Sequence, residues 1–167
     1  MIYKIHTVKV MQNEFRSYMD LKKELEIIKT QHQNSLDDYD DKIKRCRLNR
    51  EKIKSPGKGD GLGGYIEPSD IKFNRLLHEE KEWQVKLVQY RQTTGVAREM
   101  EIQQLQNRID TVDYYFSLLE GDERNMVYDH YFTNMSQRKK MEKWHYTDSG
   151  AYSRKIRYIL EDLIEKV

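Results

Sequence analysis

Apolar side chains recur along most of this chain at steps of three and four. Tyr18, Leu21, Leu25, Ile28, His32, Leu36, Tyr39, Ile43, Cys46, Arg50 and Ile53 keep that step, which marks one face of an α-helix. The consecutive fours at 28, 32 and 36 are a stutter in a heptad pattern. The spacing predicts a helix from Phe15 to Lys54. A second stripe follows Ser69 or Asp70, either of which can cap a helix. It runs through Phe73, Leu77, Glu80, Trp83 or Gln84, Leu87 and Tyr90. Thr93-Thr94-Gly95 interrupts it, and it resumes as Ile102, Leu105, Ile109, Val112, Phe116 and Leu119. A glycine inside a helix costs about 1 kcal/mol relative to alanine. Gly95 is therefore read as a kink or weak point, with a full break as the alternative.

Between the stripes, Ser55 to Gly64 holds five of the eight glycines, and Pro56 and Pro68 are the only prolines. Such a segment cannot continue a helix. It is read as a loop, and the two arms as an antiparallel hairpin around it. Each stripe is too narrow to be stable alone. The pairing expected sets Ile53 near Ile71 and Leu25 near Val96–Met100. Pairing with a second chain is the alternative, and both can hold, because polar positions such as Glu80 and Arg50 imply an imperfect seam.

The pattern changes after Leu119. Asp122 is placed to cap a helix reaching Phe132, with Met126, Val127, Tyr131 and His130 inward. After the turn Thr133-Asn134-Met135, Ser136 caps a short basic helix, Gln137 to Trp144. His145-Tyr146 makes the next turn. Thr147, followed by Asp148 and Ser149, caps a last helix from Gly150 to about Glu165, whose apolar face is Tyr152, Ile156, Ile159, Leu160 and Leu163. The fold expected is all-α: an N-terminal extension over 1–14, a helical hairpin over 15–120 with its tip at 55–68, and a three-helix helix-turn-helix domain over 121–167.

Composition narrows the class. Charged residues make up 35% and hydrophobic ones 37% of 167 residues. A low apolar share with high charge fits either a disordered chain or long exposed helices, and the periodicity favours helices. One cysteine, Cys46, excludes an intrachain disulfide and a cysteine-based zinc site. No apolar run approaches the roughly 20 residues that span a bilayer, and the alternating N-terminus lacks a signal peptide's apolar block. A soluble protein of the bacterial cytoplasm, without membrane partners, is expected.

The net charge of +2 creates no global field for nucleic acid. The charge is local instead. Between Ser136 and Arg157 stand seven basic residues (Arg138, Lys139, Lys140, Lys143, Arg154, Lys155 and Arg157) and two acids, Glu142 and Asp148. In a helix-turn-helix the earlier helix crosses the phosphate backbone and the last one turns its first residues to the base edges. Arg138, Lys139, Lys140 and Lys143 are thus candidates for phosphate contact. Tyr146, Thr147, Asp148, Ser149, Ser153, Arg154 and Arg157 are candidates at the groove, where small residues admit the helix and an arginine reaches guanine or phosphate. The last helix's free N–H groups offer a further phosphate site near Thr147. The bland alternative is a solvated basic face.

Two family resemblances sit on these residues. Leu118-Leu119-Glu120-Gly121-Asp122-Glu123-Arg124-Asn125-Met126-Val127-Tyr128-Asp129-His130-Tyr131-Phe132 resembles the opening helix of the promoter-reading fourth region of bacterial sigma factors. Tyr146-Thr147-Asp148-Ser149-Gly150-Ala151-Tyr152-Ser153-Arg154-Lys155-Ile156 is closer to the ArpU/RinA-type regulators of phages of Gram-positive bacteria. The resemblance covers about fifty residues. It implies a phage or prophage transcription regulator, an activator of late genes, whose partners are double-stranded DNA and bacterial RNA polymerase. Met141-Glu142-Lys143-Trp144 departs from the small, apolar mid-helix residues of the sigma pattern, and nothing before it resembles the sigma domain that grips polymerase. A complete sigma factor is not expected. Two alternatives stand: a small-terminase-like DNA-packaging recognition subunit, and a coiled-coil protein-interaction module. A homo-oligomer through the arms is compatible with all three.

No enzyme or cofactor is expected. Gly57-Lys58-Gly59 lacks the preceding strand and the closing Lys-Ser/Thr of a phosphate-binding loop. His78 and Glu82, one turn apart, lack a third metal ligand. His130 and His145 read as core or turn histidines. Asp37, Asp38, Asp40 and Asp41 spread around a helix and are expected to pair with bases on the facing arm. The aromatic residues from Tyr114 to Tyr158 read as core, with Tyr146 the most exposed. Cys46 reads as a small core residue.

Overall fold

A computed structural model describes residues 2–54 and 68–167. Apart from Pro68, the tip expected at 55–68 lies outside the described residues. Among these residues there is no strand, and the chain is all-α. Its helices are α1 (Val8–Lys54), α2 (Ser69–Tyr90), a π-helical turn (Arg91–Gly95), α3 (Val96–Ser117), α4 (Gly121–Tyr131), α5 (Gln137–Lys143) and α6 (Ser149–Glu165). None is long and apolar enough to cross a membrane.

Two compact units result: residues 28–100, and residues up to Ile27 together with Glu101–Val167. The division differs from one drawn along the chain, because the start of α1 and the end of α3 belong with α4 to α6.

In unit 28–100, α1 runs antiparallel to α2. Every position of the α1 stripe that falls here is buried or half-buried. Arg47 Nε lies 2.7 Å from Glu80 Oε1, and Arg50 bonds the other carboxylate oxygen. The polar positions of the seam thus satisfy one another, which a buried carboxylate requires. Tyr39 packs on Trp83 and Tyr90, and His32 stacks on Tyr90 with its Nδ1 3.0 Å from the phenol oxygen. The cross-arm pairs 32/90, 39/83 and 47/80 lie close to the register expected. Glu99 lies 3.8 Å from His32, while Ile71, Val96 and Met100 are exposed. Asp37 and Asp38 bond Gln33 and Lys42 of their own helix at 2.8 and 2.6 Å rather than bases across the seam. Neither Ser69 nor Asp70 caps α2; Pro68 occupies the cap position, without a side-chain bond.

The π turn keeps the stripe in phase across Thr93-Thr94-Gly95. Positions 73, 76, 80, 83, 87 and 90 alternate steps of three and four, as do 95, 98, 102, 105, 109, 112, 116 and 119, and none is exposed. The single step of five, from Tyr90 to Gly95, is the π turn's i to i+5 spacing. The helix neither breaks nor loses its phase. Gly95 is buried, and a Cβ there would stand 3.0 Å from the Tyr90 carbonyl oxygen.

In the other unit, residues expected to form an extension are core. Ile5 is buried and its N–H donates to the Tyr115 hydroxyl at 2.9 Å; Tyr3 N–H donates to Thr111 Oγ1 at 3.3 Å. The Thr7 hydroxyl accepts the Val10 N–H, an N-cap that starts α1 at Val8, two turns before the stripe implied. Glu14 holds Arg108 through two bonds of 3.1 Å, and Tyr18 donates to Asp113. Phe15, fully buried, meets Tyr131 and Phe132 at ring distances of 5.5 and 5.7 Å. Tyr152, Ile156, Ile159, Leu160 and Leu163 of α6 are buried.

Candidate nucleic-acid interface

α4, α5 and α6 form a literal helix–turn–helix series. Gly121 opens α4 at φ 52°, a left-handed conformation suited to glycine. Glu120, not Asp122, sits at the cap position and makes no side-chain cap bond. Ser136 Oγ accepts the Lys139 N–H at the start of α5. The turn after α5 closes with Tyr146 N–H on Met141 O at 2.9 Å and His145 N–H on Glu142 O at 3.3 Å, with His145 at φ 57°. This is a Schellman closure with histidine where glycine is usual.

Asp148, rather than Thr147, caps α6. Its two oxygens accept the N–H groups of Gly150 and Ala151 at 3.0 and 2.9 Å, and these bonds hold its carboxyl below the usual range. The helix starts at Ser149. The phosphate site expected near Thr147 is corrected accordingly: a carboxylate already occupies those donors.

The basic residues divide. Lys140 points inward and is buried; its Nζ donates to the His130 carbonyl at 2.8 Å, and burial lowers its pKa. It is not available to a phosphate. Lys143 lies 2.7 Å from Asp129 Oδ2, which also accepts the Trp144 indole N–H at 2.9 Å. Asp129 is buried, so Lys143 neutralises a core carboxylate and joins α5 to α4. Lys155 ties α6 to α4 through Glu123 at 3.4 Å. Tyr146 is half-buried, edge-on to Tyr152 at 5.6 Å; among the described residues Tyr158 and Tyr128 are the exposed tyrosines.

A continuous exposed face remains. It holds Arg138 and Lys139 on α5, Thr147 and Asp148 in the turn, and Ser149, Ser153, Arg154 and Arg157 on α6. Arg138 bridges Glu142 at 2.9 Å, Arg154 reaches Asp148 at 3.5 Å, and Arg157 bridges Glu161 at 2.8 Å. These are exposed pairs, each worth about 1 kcal/mol or less, and a phosphate can displace them. Among the described residues Lys139 makes no ion pair.

Behind this face, His130, Tyr131 and Tyr152 cluster, with ring distances of 4.5 Å and 5.5 Å from the imidazole. Burial, with the charges of Lys140 and Arg16, lowers the His130 pKa to about 4, and burial raises Tyr131 and Tyr152 to about 12. All three are neutral at pH 7 and serve the core. His78 meets Glu82 at 3.2 Å. Among the described residues, no group of three or more His, Cys, Asp or Glu is placed to hold a metal. Cys46 is buried, which raises its thiol pKa.

The chain matches no protein-family model, no curated protein and no solved structure.

Proposed function

We propose that the protein binds duplex DNA through α5 and α6, with α6 entering the major groove and α5 lying along the backbone. The observation that carries this reading is the outer face of α6. Ser149, Ser153, Arg154 and Arg157 are exposed, Arg154 opposite five buried apolar residues and the others along the flank of that stripe. Two small hydroxyl residues beside two arginines fit a groove about 12 Å wide, where arginine reads guanine. Arg138 and Lys139 supply backbone contacts on the preceding helix. The resemblance to ArpU/RinA-type regulators favours a phage transcription regulator, a late-gene activator acting beside bacterial RNA polymerase in the host cytoplasm.

Selection of bound duplexes from a fragmented phage or host genome, followed by a salt series, tests the reading. A recovered sequence whose binding survives about 0.2 M salt supports it. Recovery of no preferred sequence sinks it. Arg154→Ala is expected to relax preference at one position, at a cost of about 1–3 kcal/mol. Substituting Lys139 should weaken all duplexes alike.

Exposed Ile71, Val85, Val88, Val96 and Met100 favour self-association through the arms. Native mass spectrometry separates the outcomes: a dimer fits a regulator, and a closed ring of many subunits favours the packaging alternative.

A further inference from the structure

We propose a second phosphate site, in the open groove between the start of α1 and α6, which takes the phosphodiester backbone of the same duplex. Val8, Lys9, Gln12, Asn13, Arg16 and Arg157 line it, and its volume is about 490 Å³. The inference rests on the DNA reading of α6, and Arg157 belongs to both surfaces.

Three cations and two amides converge here, and no carboxylate is among the lining residues. Lys9, Gln12 or Asn13, and Arg16 recur at helical spacing on one side of α1. Lys9 and Arg16 are exposed, and among the described residues neither makes an ion pair. Arg157 does, with Glu161 one turn further along α6. Uncompensated like charges around one groove repel, and a bound anion relieves that repulsion. Arginine and lysine supply charge-assisted bonds to phosphate oxygens, and the amides add neutral donors. The lining has no aromatic side chain, which disfavours stacked bases. A strand's backbone fits; its bases do not. The site also gives the first helical turns of α1 a task. Thr7 starts the helix early enough to present Lys9 and Arg16 beside α6.

The test is fluorescence anisotropy of the full chain on its selected duplex, from about 0.05 to 0.2 M salt, with Lys9→Gln/Arg16→Gln beside wild type. Each phosphate contact contributes about 0.9 to the slope of log affinity against log salt. The double variant should therefore flatten that slope by about 1.8, with sequence preference unchanged. Lys44→Gln/Lys81→Gln, exposed on the other unit, should leave the slope as it is. A wild-type slope in the Lys9/Arg16 variant overturns the groove and leaves the reading of α6 standing. Altered sequence preference also overturns it, since the contacts would then be to bases. No duplex binding by wild type overturns both. Thermal melting verifies the fold, and the single variant Lys9→Gln, with half the expected change, serves if the double variant melts early.

Discussion

The two units bury their side chains to different depths. In the unit built from the start of α1, the end of α3 and α4 to α6, Met11, Phe15, Tyr115, Val127, Tyr152, Leu160 and Leu163 are at 0% exposure. In unit 28–100, Ile28, Ile43, Cys46, Leu76 and Leu87 keep 6–8%, and the deepest charged group, Glu80, keeps 5%. A seam between two helices has solvent on both flanks, whereas several helices meeting at angles enclose a volume. The seam therefore relies on repetition and on a paired carboxylate; the other unit relies on aromatic packing. The helix proposed to read the groove, α6, stands on the second kind of core.

The largest expected effect separates the two cores directly. Phe15→Ala should cost about 3–5 kcal/mol, and Leu87→Ala in the seam nearer 2 kcal/mol. Urea denaturation measures both, and equal costs would erase the contrast. Acid provides the next distinction. His130 has a folded pKa of about 4, below its unfolded value of 6.5, so the folded state binds fewer protons. Its contribution is complete above pH 6.5 and is lost as pH falls from 6.5 to 4. The loss is about 2 kcal/mol after discounting for a partly solvated ring. His130→Phe should flatten stability across that window; an unchanged acid slope would place the sensitive group elsewhere. The smallest effect concerns Gly95. Glycine to alanine inside a helix usually gains about 1 kcal/mol. With the Tyr90 carbonyl oxygen 3.0 Å from the new methyl, Gly95→Ala should instead lose about 1 kcal/mol. A gain would mean the π turn relaxes freely.

The helices themselves were legible, because apolar periodicity is a local property. The stripe from Tyr18 to Ile53 and the buried face of α6 are where the steps of three and four put them. The π turn was not, since Thr93-Thr94-Gly95 reads as a kink or weak point rather than as a step of five that keeps the stripe in phase. Nor was the role of residues before Phe15: Tyr3 and Ile5 bond Thr111 and Tyr115, far along the chain, and no local spacing encodes that. At the candidate interface, the exposed face of α6 follows from its period. The fate of Lys140 and Lys143 does not. A basic helix reads as solvated until Asp129 and the His130 carbonyl are seen beneath it. The pairing of Lys9 and Arg16 with Arg157 escaped for the same reason as Ile5. The one local hint was Lys9 and Arg16, two turns apart on α1, too ordinary a spacing to stand out.

The π turn has a genetic meaning. Inserting one codon into a long helix rotates every later side chain by about 100°, which would turn the whole stripe from Gly95 to Leu119 off its partners. A turn widened by one residue confines that rotation to five positions. Arg91–Gly95 is thus the place where this chain carries one residue more than an α-helical step, and the frame of contacts on either side of it stays in phase.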